Sequence, residues 1–277
     1  MKNFIVYLLT GVLLLSCTVA RAERGNEDTS IFQSIESSYV YIQRISQWIS
    51  QVKEKLTTFD TLQANQLYLQ TYRVLGEYFH KLSDITWDWV RVYHHFSTDP
   101  EVERLVAQLE ECGIEVRYIG SGEWNLSFTQ YFYYNLFKDY VSEEFRDFIR
   151  IKADQDEMIS PDGEIVVPWE YIGSRLMAWD IFMEKYPSSI FMEEAIGEYS
   201  TYMHFFLFGD VHSPAWYGDG IIENDIRLVF DAFLKKHPNT KSAKILTFYL
   251  NEIESNGGKV PSDIERRVTE FMRQLIK

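Results

Sequence analysis

The stretch Phe208-Gly209-Asp210-Val211-His212-Ser213-Pro214-Ala215-Trp216-Tyr217-Gly218-Asp219-Gly220 gathers two carboxylates, an imidazole and two large aromatic rings in a frame of Gly and Pro. Loops carry function out of proportion to their length, because a rigid scaffold can hold their side chains around a ligand. Asp210 and Asp219 could act as an acid/base pair, or Asp210, His212 and Asp219 could form a weak metal set. The same residues also suit a plain connector, with Asp and Gly making turns and Trp216 plugging the top of a helix hairpin. Asp210, His212, Trp216, Tyr217 and Asp219 are therefore candidate ligand or partner contacts, and no residue is assigned a catalytic role.

Elsewhere the chemistry thins out. His94 and His95 are adjacent, and adjacent residues on a helix point about 100° apart, so the pair cannot share one ion there. No HExxH accompanies them. Asp154-Gln155-Asp156-Glu157, ending in Pro161-Asp162-Gly163-Glu164, superficially resembles a calcium loop but fails its spacing. With Asp154 first, Ile159 stands where Gly is needed and Ile165 where a bidentate Glu is needed. Cys112 has no His and Asn arrangement to activate it and reads as a small buried filler. No Ser/His/Asp order, Gly-rich phosphate loop or Cys/His cluster is present, so no metal and no cofactor is expected.

The N-terminus carries an export signal. Lys2 precedes an apolar run from Phe4 to Leu15, about a dozen residues, too short for the ~20 that span a bilayer. Ala20-Arg21-Ala22 offers a small-x-small cleavage site after Ala22. Leu14-Leu15-Ser16-Cys17 resembles the bacterial lipobox, which implies a diacylated Cys17 as the mature N-terminus. By the same resemblance, Thr18 after that Cys suits the outer membrane. Once the signal is gone, Cys112 is the one thiol left in the folded chain, so no intramolecular disulfide forms even in an oxidising compartment.

The chain carries a net charge of −14, and loss of Lys2 and Arg21 with a signal cut after Ala22 takes it to −16. Such a surface repels phosphate backbones and anionic headgroups, which argues against nucleic-acid binding and polybasic membrane docking. Seven Trp and eighteen Tyr exceed what a plain helical bundle needs, so some could line a groove.

The elements that must position these residues are mostly helices. After a polar tether over Glu23 to Thr29, Ser30 and Gln33 match a capping box. Ile35, Ile42, Ile49 and Leu56 in one series, and Ile31, Ile45, Val52 and Phe59 in the other, repeat every seven residues and make one apolar seam broken at Ser38. Asp60 caps a second helix carrying Leu62, Leu67, Leu69, Tyr72, Leu75, Phe79, Leu82, Ile85 and Trp89, and the two pair as an antiparallel hairpin. Asp99-Pro100 starts a third helix that stops at Gly113. Ile114 to Ile119 alternates, Gly120-Ser121-Gly122 turns, and Trp124 to Phe128 returns, a small β-hairpin. Tyr131 to Tyr134 place aromatics on all sides of a helix, which predicts burial, and Ser142 opens an amphipathic helix.

Past the Pro-Asp-Gly turn the helices pair again. Pro168 starts a helix that ends at Tyr186-Pro187, and Ser188-Ser189 can cap the next. A similar run, Val229 to Thr240, lies 51 positions after Ala178 to Ser189 and is followed by a helix ending at Gly257-Gly258. Ser262 and Glu265 open a terminal helix. The pattern Ala178-x3-Phe182-x3-Tyr186-Pro187-x-Ser189, with Ala195 beyond it, resembles the tetratricopeptide-type helical repeats of outer-membrane assembly lipoproteins. It is similar also to periplasmic coordinators of envelope machinery, with Phe233, His237, Pro238 and Thr240 as the second copy. The spacing of 51 replaces the 34 of that repeat.

The expectation is a mainly α chain of helical hairpins or a bundle, with tetratricopeptide-like helix pairs in the C-terminal half and one β-hairpin near 114–128. Residues 1–22 are the signal, 23–154 an N-terminal helical region and 155–277 a C-terminal helix-pair region. The expected function is a non-catalytic cell-envelope (lipo)protein, on the periplasmic side and anchored to the outer membrane through Cys17 or else soluble in the periplasm. It would serve as a helical scaffold for a protein or peptide partner. The alternative is a periplasmic hydrolase or carbohydrate-binding protein that uses residues 209–222.

Overall fold

The computed structural model describes residues 26–90, 93 and 97–276; the expected export segment, Cys17, His94 and His95 lie outside the described residues. Among the described residues the chain is mainly helical, with a small two-stranded antiparallel sheet within 114–128 and a pairing of two-residue strands within 209–214. It divides into two compact units between Thr129 and Gln130.

The first unit opens on α1 (Asn26–Leu56) and α2 (Thr61–Val90). Helical backbone already covers Asn26 to Thr29, where the sequence suggests a tether. Ile35, Ser38, Ile42, Ile45, Ile49 and Val52 are all buried, and Ser38 fits the seam by donating its hydroxyl to Ser34 O at 2.8 Å. The turn is fixed by a reciprocal box: Gln63 N–H donates to Asp60 Oδ1 at 2.8 Å, and Asp60 N–H donates to Gln63 Oε1 at 3.0 Å. On α2 the buried face is Ala64, Leu67, Tyr68, Thr71, Leu75, Leu82, Thr86 and Trp89. Leu62, Leu69 and Tyr72 point to solvent instead, with Leu62 67% exposed, because the stripe facing α1 follows the i, i+3, i+4 spacing of its neighbours.

α3 (Pro100–Glu111) begins at Asp99, whose Oδ1 accepts Glu101 N–H at 2.9 Å. The chain leaves through Gly113 at φ 73° into β1 (Ile114–Gly120), which pairs with β2 (Glu123–Phe128) from Ile114 opposite Phe128 to Gly120 opposite Glu123. The register slips between Tyr118 and Gly120, and Gly120, Ser121 and Gly122 all take positive φ in the turn. Cys112 is 4% exposed, with Sγ 3.8 Å from Ile42 O, and burial pushes its thiol pKa up, with Glu111 adding to the rise.

The second unit contains α4 (Phe132–Phe137), α5 (Glu143–Asp154), α6 (Trp169–Lys185), α7 (Met192–Phe208), α8 (Asn224–Lys236), α9 (Lys241–Ser255) and α10 (Ile264–Ile276). The aromatic run is less buried than the sequence predicts. α4 is too short to wrap its rings on all sides, so Phe137 is its one buried residue while Tyr131 and Tyr140 are exposed. α5 packs through Phe148, which stacks on Phe191 at 3.9 Å and meets Trp179 edge-on at 5.9 Å. The Pro-Asp-Gly loop, offered by the sequence as a boundary, is stitched onto α6. Gln155 Nε2 donates to Arg175 O at 3.0 Å, Trp179 Nε1 donates to Gln155 Oε1 at 2.7 Å, and the buried Arg175 donates to Glu157 O at 2.7 Å. These ties join α5 and the loop to the helices after them.

α6 is buried on nearly every side, from Ile172 to Met183. Gly173 permits its closest approach, since a Cβ there would sit 3.1 Å from the Phe206 ring and 3.2 Å from the Phe233 ring. The two proline turns differ: α9 starts on a side-chain cap, whereas the N-cap of α7 is Phe191, which has none, so Ser189 shapes the turn instead of capping the helix. Ser189 Oγ accepts Phe191 N–H at 3.0 Å ahead of α7, and Thr240 Oγ1 accepts Ala243 N–H at 3.1 Å at the head of α9. α10 lies along α9, with Phe248 and Phe271 stacked at 4.4 Å and Arg267 paired with Glu252.

Candidate functional site

The 209–222 loop is a pinned hairpin. It leaves α7 through Gly209 at φ 78°, where a Cβ would stand 2.2 Å from Ser213 O and 2.9 Å from Ala215 N. No other residue fits there without opening the loop. β3 (Gly209–Asp210) pairs with β4 (Ser213–Pro214), Ala215 is buried, and Trp216 bridges to Ile222 as the chain returns toward α8. Four hydrogen bonds fasten it outward: Ser160 Oγ donates to Asp210 Oδ2 at 2.5 Å, His212 N–H to Gly163 O at 2.8 Å, Ile165 N–H to Ser213 Oγ at 3.1 Å, and Val260 N–H to Gly220 O at 2.8 Å.

The candidate contacts therefore divide. Asp210 is half-buried and committed: the Ser160 hydroxyl and then the Val211 N–H favour its charged form and hold its carboxyl below the usual range. Asp219 is exposed and accepts Ile221 N–H at 3.1 Å, shaping its own turn. No hydrogen bond or ion pair joins the two carboxylates, and among the described residues no group of three His, Cys, Asp or Glu could hold a metal ion. Trp216 is half-buried and edge-on to Phe208 at 6.0 Å. His212 and Tyr217 are exposed, Tyr217 by 61%. The loop offers a ring and an imidazole to solvent, but its carboxylates hold the frame.

A second feature lies beside it, between α7 and α10. A groove of about 540 Å³ has apolar walls of Ile196, Met203 and Phe208 from one helix and Val268, Met272 and Ile276 from the other. Its polar contributors are Ser200, His204, Thr269 and Arg273, and among the described residues no Asp or Glu lines it. Pockets of a few hundred Å³ with mostly apolar walls and few polar groups are the usual form of ligand sites. His204 rests edge-on against Phe208 at 5.2 Å.

Sequence reasoning passes over this groove. Ile196, Ser200, Met203 and His204 follow helical spacing one step round from the buried stripe of Ala195, Tyr199, Tyr202 and Phe206. On α10, Val268, Met272 and Ile276 form a similar stripe. Each reads as ordinary core; only the packing shows two apolar stripes facing one another without closing.

Among the described residues, no helix is long and apolar enough to cross a membrane. Compared with family models, with curated proteins and with solved structures, the chain matches none.

Proposed function

We propose that this is a non-catalytic protein of the bacterial cell envelope, exported by its N-terminal apolar run and held on the periplasmic side by a lipid on Cys17. Its second unit docks another protein or a peptide. Thr18 after Cys17 suits an outer-membrane address. The observation that carries the docking role is the acid-free apolar groove between α7 and α10, in a chain that otherwise carries 41 acidic side chains. An apolar concavity left unfilled in a packed helical unit favours an occupant from outside.

The test compares wild type with Thr269→Trp, which fills the groove from its half-buried wall. The docking role predicts that an envelope protein captured by wild type is lost with Thr269→Trp at unchanged melting temperature. Equal capture by both counts against the groove. Palmitate labelling that disappears in Cys17→Ala tests the anchor.

A second reading, a periplasmic hydrolase or carbohydrate-binding protein working through residues 209–222, is favoured only by the exposure of Tyr217 beside Trp216. Asp210 is held by Ser160 and Val211 N–H, and Asp219 by Ile221 N–H.

A further inference from the structure

α10 carries three arginines with different surroundings. Arg266 is paired with Asp263 at 2.8 Å and Glu270 at 2.9 Å, and Arg267 is paired with Glu252. Arg273, which lines the groove, pairs with no carboxylate among the described residues. In a chain where 41 acidic side chains outnumber 27 basic ones, Arg273 is distinguished by its place at a groove that no Asp or Glu among the described residues lines. A guanidinium presents a planar fork that matches a carboxylate with two parallel N–H bonds. The charge complement of this groove is therefore a single carboxylate on an apolar body.

We propose that the groove between α7 and α10 binds the C-terminal end of an apolar peptide, with Arg273 receiving the free carboxylate. This deepens the docking role proposed above and rests on it. Three features favour a peptide over a plain acyl chain. A peptide brings backbone N–H and C=O groups that need partners, and an acyl chain brings none. Ser200 and Thr269 supply hydroxyls from opposite walls; the Ser200 hydroxyl spends its proton on Ile196 O at 2.6 Å and keeps its acceptor lone pairs. Met203 and Met272 give the apolar walls unbranched, polarisable side chains that adapt to different apolar residues. His204 adds a second donor at the rim.

The experiment uses the full chain and a fluorescein-labelled hexapeptide, Gly-Ala-Leu-Phe-Leu-Phe, with either a free acid or an amide at its C-terminus, followed by anisotropy. The free acid is expected to bind at least about tenfold more tightly than the amide, roughly 1.4 kcal/mol. Arg273→Gln removes that preference, Arg273→Lys restores part of it, and Arg266→Gln, outside the groove, leaves it intact. Equal binding of acid and amide overturns the carboxylate assignment. Palmitate displacing the peptide while binding more tightly overturns the peptide in favour of an acyl chain. Absence of binding by either peptide also overturns it. If the Thr269→Trp capture test still succeeds in that case, the docking role stands without this ligand; if that test fails too, both fall.

Discussion

The carboxylate of Asp180 on α6 accepts both the backbone N–H of Ser242 at 2.9 Å and its hydroxyl at 2.7 Å, in the first turn of α9. Asp180 is 3% exposed, and the Tyr199 hydroxyl completes the cluster 3.1 Å from Ser242 Oγ. A negative charge at a helix N-terminus meets unpaired N–H groups and the positive end of the helix dipole, which offsets the cost of burying it. Burial first, and then the nearby Asp180 charge, push the Tyr199 phenol far above its ordinary range.

Removing that carboxylate leaves buried donors without an acceptor. Asp180→Ala should lower unfolding stability by about 3 kcal/mol, since hydrogen bonds to charged groups contribute roughly 1.5–3 kcal/mol each. Ser242→Ala should cost less, and the double variant less than the sum, because both changes break one network. Urea denaturation measures all three. A change in Asp180→Ala of under about 0.5 kcal/mol, the scale of an ordinary surface substitution, would contradict the role.

Two glycines should respond in opposite directions. Gly209→Ala places a Cβ 2.2 Å from Ser213 O at a φ of 78°, so it should cost roughly 3 kcal/mol or more and open the β3–β4 pairing. Gly197 lies inside α7 with nothing within 4 Å of its added Cβ. Gly197→Ala should stabilise by about 0.5–1 kcal/mol from helix propensity alone. Thermal unfolding of the two variants reads the contrast directly.

The Asp210 carboxyl titrates below its ordinary value of 3.8, chiefly through the Ser160 hydroxyl. A depressed folded pKa means that the contribution is present above the ordinary value and is lost as pH falls through the folded one. The loop should therefore stay pinned at pH 5 and loosen as pH falls below about 4. Carboxyl carbon NMR should follow the titration, with Ser160→Ala moving it back toward 3.8. Asp210→Asn should lower the melting temperature, whereas a purely chemical role would spare it.

Cys112 should be slow to react. Its burial and raised pKa keep it as a thiol at neutral pH, and the thiolate is the reactive form. Ellman's reagent should label the thiol of a Cys17→Ala variant in urea and barely in buffer; equal rates in both would place Cys112 at the surface.

Periodicity in the sequence reports which way a helix faces, and here it carried the α1 seam down to the buried Ser38. It faltered where two stripes compete. On α2, Leu69 and Tyr72 are as apolar as Tyr68, yet only the packing direction shows that Tyr68 is buried and the other two are not. The repeated proline turn marks the helix pairs but does not carry its chemistry from copy to copy. Asp180 is buried against α9, while Asp231, at the matching position, makes an exposed pair with Arg227 at 3.2 Å. Loop composition drew attention to 209–222 because Asp, His and Trp are the residues of catalysis; they are equally the residues of turns and plugs. The groove left no local signature, since an apolar stripe on α7 and another on α10 become a cavity only when they face one another.

The most direct measurement places a photo-crosslinking amino acid at Met272 in the groove and, separately, at the exposed Leu228 on α8, in the full chain expressed in its native cells. Docking in the groove predicts a discrete adduct from position 272, absent from position 228 and lost when Thr269→Trp is added. Adducts of the same size from both positions, or none from position 272, would contradict it.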